Sequence, residues 1–189
     1  MGLDLGLNEA GLRVAVSQDM DKWCIETMRR NSHLAIDGDI RDLIESDPSC
    51  EFFLQASGVT REALFAVVGG PPCQPFSTAG KRKGVEDARG QLYQEFIKVV
   101  SALRPRFFIM ENVKGLASMP CDPADKQSKP VLDTILESFK AIGYHTVHGI
   151  LDAVHYGTPQ FRERLVIVGS RDGEDVFLPA PTHFQRHQN

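Results

Sequence analysis

The chain lacks a cysteine pair of metal-binding spacing, a long apolar run and an excess of positive charge, and each absence weighs against a class of protein. Its four cysteines (Cys24, Cys50, Cys73 and Cys121) form no C-x-x-C pair and have no histidine pair beside them. That spacing argues against a zinc site and a disulfide framework, so no metal is expected, and it fits a reducing compartment. No apolar stretch reaches the roughly 18 residues that a bilayer span needs, and the N-terminus lacks a basic stretch leading into an apolar core. A soluble intracellular protein is expected, with no membrane partner, cytoplasmic in a bacterium or nuclear in a eukaryote. Positive charge is also scarce: 21 Lys and Arg against 25 Asp and Glu leave a net charge of -4. Nothing global attracts a polyanion, so any nucleic-acid surface must come from local basic groups such as Lys81-Arg82-Lys83, Arg104 to Arg106 or Arg162 to Arg171.

What is present is a regular alternation of strands and helices. At 189 residues and 42% hydrophobic content the chain suits one domain with a substantial core. Leu3, Leu7 and Ala10 mark a short helix closed by Gly11, followed by a strand over 13–17 and a helix over 20–31. A brief strand over 36–40 precedes a polar, turn-rich stretch (41–63) with short helical pieces. Leu64 to Val68 is an apolar run of the kind found in a strand buried on both faces. Leu92, Phe96, Val99, Val100 and Leu103 share one stripe of a helix over 91–103, which ends before Pro105. Phe107 to Met110 is the next buried strand. Pro130 opens a helix with Val131, Leu132, Ile135, Leu136, Phe139 and Ile142 on its apolar face and Gly143 as its stop. Strands over 144–152 and 165–169 complete an open α/β sheet, mostly parallel, whose ligands belong beyond the carboxyl ends of its strands.

That edge collects the residues with chemistry. Cys73 follows a buried strand in Gly69-Gly70-Pro71-Pro72-Cys73-Gln74-Pro75-Phe76-Ser77, where glycines allow close approach and prolines restrict the loop. A thiol on such a loop is suited to act as a preorganised nucleophile. Glu111 ends the following apolar strand and would bring a carboxylate to the same edge.

Three segments, Gly69 to Ser77, Glu111-Asn112-Val113 and Gln160-Phe161-Arg162-Glu163-Arg164, resemble in order and spacing three central motifs of the cytosine-5 DNA methyltransferase family. Ser17-Gln18-Asp19-Met20-Asp21, Gly38-Asp39-Ile40 and Asp87-Ala88-Arg89-Gly90-Gln91-Leu92 extend the resemblance over nearly all of residues 2 to 171. It implies the Rossmann-like fold of S-adenosylmethionine-dependent methyltransferases. It also implies methyl transfer to C5 of a flipped-out cytosine in double-stranded DNA. C5 is too weak a nucleophile to attack a methyl sulfonium, so a thiolate must first add at C6 while N3 gains a proton. The resemblance gives the first role to Cys73 and the second to Glu111, in a semi-enclosed site. Arg162 and Arg164 would orient the base and backbone, with Arg164 at the catalytic centre. The cofactor S-adenosylmethionine would meet Gly2, Leu3, Asp19, Met20, Asp39, Ile40, Gly70 and Leu92. Nucleic acid would meet Gln74, Ser77, Lys81, Arg82 and Arg89, with 78–90 as a mobile catalytic loop. An alternative within the same chemistry is transfer RNA as substrate, and another is an inactive or binding remnant.

Against the family pattern, the chain begins near the end of the Phe-x-Gly-x-Gly-Gly turn. Residues 172–189 read as the start of a lead into target recognition. The expectation is therefore a single partial catalytic domain over 1–189, without part of the first strand or the recognition domain, which a second polypeptide would supply. Phe65 stands where the family usually has an acidic residue, and nothing in the sequence explains it.

Overall fold

The structure, a computed structural model, describes residues 2–72, 92–122, 124–125 and 127–183. They fall into two compact units, one running to Leu64 with Ser101–Arg104, the other comprising Phe65–Val100 and the chain from Pro105 onward.

In the first unit, helix α1 (Gly2–Glu9) leads into a two-stranded parallel sheet of β1 (Ser17–Asp19) and β2 (Ala35–Asp37), joined by helix α2 (Lys22–Arg30). The Asp21 carboxylate caps α2 by accepting from the Trp23 and Cys24 amides at 2.8 and 3.0 Å. Ile25 and Met28, three residues apart on the same helix face, are buried. Helices α3 (Ile40–Ser46) and α4 (Glu51–Ser57) account for the polar stretch that was expected to carry short helical pieces. The strand expected over 13–17 is displaced. Ladder pairing runs only from Ser17 to Asp19, set by the three residues of β2 rather than by the β-branched Val14 and Val16.

The second unit holds strands β3 (Ala66–Gly69), β4 (Phe107–Val113), β5 (His145–Asp152) and β6 (Glu163–Ser170) in the order β3-β4-β6-β5. β3 and β4 are parallel, and β6 is antiparallel to both of its neighbours. Three strands therefore run one way and β6 alone is reversed, consistent with the mostly parallel α/β fold expected. Along β4, Phe108, Met110 and Asn112 are buried while the alternate residues are more exposed, the period of two of a strand with one core face. Helices α5 (Leu92–Leu103) and α6 (Val131–Ala141) supply Val100, Leu132, Ile135 and Phe139 to the core that Phe108, Met110, Leu165 and Ile167 build from the sheet. The Phe108 and Phe139 rings stack with centroids 3.9 Å apart. The buried Tyr144 hydroxyl donates to the Pro105 carbonyl at 2.6 Å.

Two expectations change. The Leu64 to Val68 run was read as a strand buried on both faces. The strand is Ala66–Gly69, half-buried throughout, with β4 as its only neighbour among the described residues. β4 also continues to Val113, so Glu111 lies within the strand rather than at its end.

Candidate active site

The carboxyl end of β4 places consecutive side chains on opposite faces, and both serve the loop that follows β3. Gly69 pairs with Met110 across the parallel ladder, which sets Gly70 beside Glu111. A Cβ on Gly70 would lie 3.3 Å from the Glu111 carboxylate, and one on Gly69 would strike the Phe96 ring at 2.7 Å. The glycine pair is what allows the loop to leave β3 between the strand and α5. On the other face, buried Asn112 donates from Nδ2 to the Pro71 carbonyl at 2.9 Å while its Oδ1 accepts from the Val113 amide at 2.9 Å. One asparagine therefore ties down the chain two residues before Cys73.

β6 brings the arginine. Glu111 is paired with Val166 and Val113 with Arg164, so Glu111 and Arg164 share one face of the β4–β6 ladder. Arg164 Nε meets Glu111 Oε1 at 2.9 Å, and a second guanidinium nitrogen donates to the Glu163 carbonyl at 2.9 Å. Their side chains are 26% and 32% exposed, so both partners are half-buried. Beside it, Lys114 holds Glu163 at 2.7 Å.

Arg162 precedes β6 and is exposed. Its amide donates to Asp152 Oδ1 at 2.8 Å and its carbonyl accepts from the Ala153 amide at 3.1 Å. Cys73, Gln74, Ser77, Lys81, Arg82 and Arg89, with the whole 78–90 segment, lie outside the described residues, as do residues 184–189 of the expected lead-in.

The residues assigned to the cofactor divide between the units. In the first, Asp19 ends β1. Its carbonyl accepts from the Gly38 amide at 3.2 Å, and the Gln18 side chain donates to the Gly38 carbonyl, joining the carboxyl ends of β1 and β2. Asp19 Oδ1 accepts from the Asp21 amide at 2.9 Å, and Met20 between them is exposed. Asp19 also borders an open cavity of about 270 Å³ with Trp23, Cys24, Thr27 and Met28. Asp39 caps α3 through the Arg41 amide and is ion-paired with the Arg41 guanidinium, which holds its carboxyl below the usual range. Ile40 opens that helix, half-buried. Gly2 and Leu3 are exposed on the first turn of α1. In the second unit are Gly70, against Glu111, and Leu92, half-buried at the start of α5.

Asn112, Asp152 and Arg41 make contacts that the sequence reading did not assign. Asn112 alone carried a signal, its place beside Glu111. Among the described residues there is no cluster of His, Cys, Asp or Glu able to hold a metal, and no described helix is long and apolar enough to cross a membrane.

An α/β sheet with one reversed strand and a Glu–Arg pair beside a glycine-proline turn suits the class of S-adenosylmethionine-dependent methyltransferases. A crystal structure of an E. coli prophage-encoded protein, described as a DNA modification methyltransferase, matches with a TM-score of 0.69 at 26% identity, covering 90% of this chain and 44% of that one. The chain belongs to the C-5 cytosine-specific DNA methylase family, whose model matches residues 1–189. It is 39% identical to the type II methyltransferase M.AquIA of Picosynechococcus sp., over 99% of this chain and 75% of that protein. It is 36% identical to M.NgoFVII of Neisseria gonorrhoeae, over the full chain but only 46% of that protein.

Proposed function

We propose that this chain carries the catalytic half of a DNA cytosine-5 methyltransferase of the restriction-modification type, acting through a covalent bond between Cys73 and C6 of a flipped-out cytosine. The observation that carries the reading is the Glu111–Arg164 pair, 2.9 Å apart beneath Gly70, next to the Asn112 tether on Pro71. Proton donor and cation thereby come from β4 and β6 at one sheet edge, beside the start of the loop that carries Cys73 in the sequence. In this reading the Cys73 thiolate adds to C6, Glu111 delivers a proton to N3, and Arg164 orients the Glu111 carboxyl and the base. C5 then takes the methyl group with a neutral thioether as leaving group, its proton passes to a base, and N3 returns its proton to Glu111 as the C6–S bond breaks, which restores the ring and the Cys73 thiolate.

S-adenosylmethionine supplies an electrophilic methyl on sulfur. The residues present fit it in part. Asp19 Oδ1 is engaged by one amide, and a carboxylate has lone pairs for ribose hydroxyls as well. Asp39 is committed to Arg41 and to its cap, which leaves Ile40 and the backbone around it as the adenine contacts that require no rearrangement. Because the chain spans under half of M.NgoFVII, we assign choice of DNA sequence to further polypeptide.

The test is trapping on duplex DNA containing 5-fluorocytosine with S-adenosylmethionine. It is run alone and with a polypeptide carrying the remaining length of a relative such as M.NgoFVII, with transfer RNA as a parallel substrate. A covalent adduct is expected on DNA with wild-type chain, absent in Cys73→Ala and slowed at least about 100-fold in Glu111→Gln and Arg164→Ala. No Cys73-dependent adduct in any combination overturns the enzyme reading, and an adduct on transfer RNA alone redirects it. Cofactor binding has its own readout, since Trp23 is the one tryptophan in the chain and is 78% exposed beside the Asp19 cavity. S-adenosylmethionine should change its emission in wild type and not in Asp19→Ala.

A further inference from the structure

The hydrogen bonds where the β5–β6 ladder ends assign a role to Asp152. Asp152 pairs with Glu163 as the last rung of the ladder, and the next rung would join Ala153 to Arg162 through two main-chain bonds. Only one of them forms, Ala153 amide to Arg162 carbonyl at 3.1 Å. The other is unavailable because the chain turns at Ala153 into a 3-10 turn (Ala153–Tyr156). The Ala153 carbonyl there accepts from the Gly157 amide, which closes the turn, and from the Thr158 amide at 3.3 Å. The Asp152 carboxylate takes the place of that carbonyl. Its Oδ1 accepts the orphaned Arg162 amide at 2.8 Å and reaches the Val154 amide at 3.5 Å, capping the turn. A single side chain thus holds both ends of the ten-residue connection between β5 and β6.

We propose that Asp152 is a positioning residue for methyl transfer: it fixes the main chain at Arg162 so that Arg164, two residues along, meets Glu111 in working geometry. This rests on the catalytic reading of Glu111 and Arg164. The main chain alone supplies one bond at this point, and without the carboxylate the entry to β6 would pivot about it. Misplacement of a catalytic cation by about 1 Å is enough to cost on the order of 100-fold in rate. The acceptor atom matters here rather than the charge, because the partners are neutral amides.

The experiment compares wild type with Asp152→Ala, Asp152→Asn and Asp152→Ser in the productive combination of the trapping assay. It measures the single-turnover rate of adduct formation, DNA affinity, thermal midpoint and hydrogen exchange at the Arg162 amide. Asparagine retains an acceptor oxygen at the same reach. Serine retains a capping oxygen for Val154 but is too short for Arg162, so it separates the two bonds if alanine unfolds the corner. Asp152→Ala and Asp152→Ser should slow adduct formation about 10- to 100-fold and speed Arg162 exchange, with DNA affinity within about twofold of wild type. Asp152→Asn should restore both rate and protection. Equal rates in Asp152→Ser and wild type, or an asparagine variant as slow as alanine, would overturn the proposal. So would a loss residing entirely in DNA affinity. If wild type itself forms no adduct, the catalytic reading falls and takes this role with it, an outcome distinct from an active wild type indifferent to residue 152.

Discussion

Two cysteines other than Cys73 show how neighbours set reactivity at the scale of a single residue. Cys50 is fully buried at the start of α4 with a backbone φ of +56°. Burial, reinforced by Asp47, pushes its thiol up to about 11. Cys24 is exposed, yet the Asp19 carboxylate, with some desolvation and Asp21, raises its thiol above the ordinary value. Since the thiolate is the reactive form, both resist alkylation near neutral pH, for different reasons. In a Cys73→Ala variant treated with iodoacetamide at pH 8, Cys24 should label slowly and Cys50 only after denaturation. Rapid native labelling of Cys50, read by peptide mass mapping, would contradict the structure. The same scale explains why some site residues were legible and others were not. Glu111 follows Phe108-Ile109-Met110, so its strand and sheet edge were readable from the apolar run. Asp39, expected at the cofactor, also caps α3. Beside Asp19 the cap is Asp21, because the turn into α2 starts two residues later than the sequence suggested. Asp152 gave no signal, since its role depends on the Ala153 carbonyl, nine residues before Arg162, being turned elsewhere.

At the scale of elements, periodicity located helices better than it located strands. The α6 stripe was readable almost to the residue, because Leu132, Ile135 and Phe139 occur at three- and four-residue intervals, opened by Pro130 and closed by Gly143, which has a φ of +85°. Strand limits depend on partners, which a single sequence does not display. Val14 and Val16 favour extended chain, but β2 offers only three residues to pair with. The run before Gly69 is apolar enough for a central strand and has one neighbour in its sheet among the described residues. Helix α6 also carries a clear energetic expectation. Phe139 is fully buried, stacked on Phe108 and edge-on to Phe96 at 6.3 Å between centroids, so it joins α6, β4 and α5. Phe139→Ala should destabilise the second unit by about 3 to 5 kcal/mol, measured by urea denaturation. Phe139→Leu should cost clearly less, because it refills most of the space. A loss below about 1 kcal/mol for alanine would mean that the stack is not a core contact.

For the molecule as a whole, the proposed function raises the question of how a chain of net charge -4 would engage a polyanion. The order β3-β4-β6-β5 and the reversed β6 were not readable, since consecutive apolar segments do not state which of them become neighbours. Yet that order gathers Glu111, Arg164 and the loop after Gly70. Positive charge is correspondingly local. Of the basic residues in the second unit, Lys98 and Arg106 are held by Glu95 and Glu174, and Lys114 and Lys129 by Glu163 and Glu137, which leaves them partly neutralised as phosphate ligands. Lys81, Arg82 and Lys83 are the densest basic run near Cys73 in the sequence. Because each phosphate contact to duplex DNA contributes about 0.9 to the slope of log K against log salt, replacing all three with alanine should lower that slope by about 2 to 3. Lys98→Ala, which removes a cation already paired with Glu95, should leave it unchanged. Fluorescence anisotropy across a salt series, with cofactor and recognition polypeptide present, measures both. Equal slopes for wild type and the triple variant would remove the Lys81 to Lys83 run from the DNA interface and move the phosphate contacts to the exposed Arg162 and its neighbours. A slope change in Lys98→Ala would show that ion pairing on α5 does not withhold charge from the duplex.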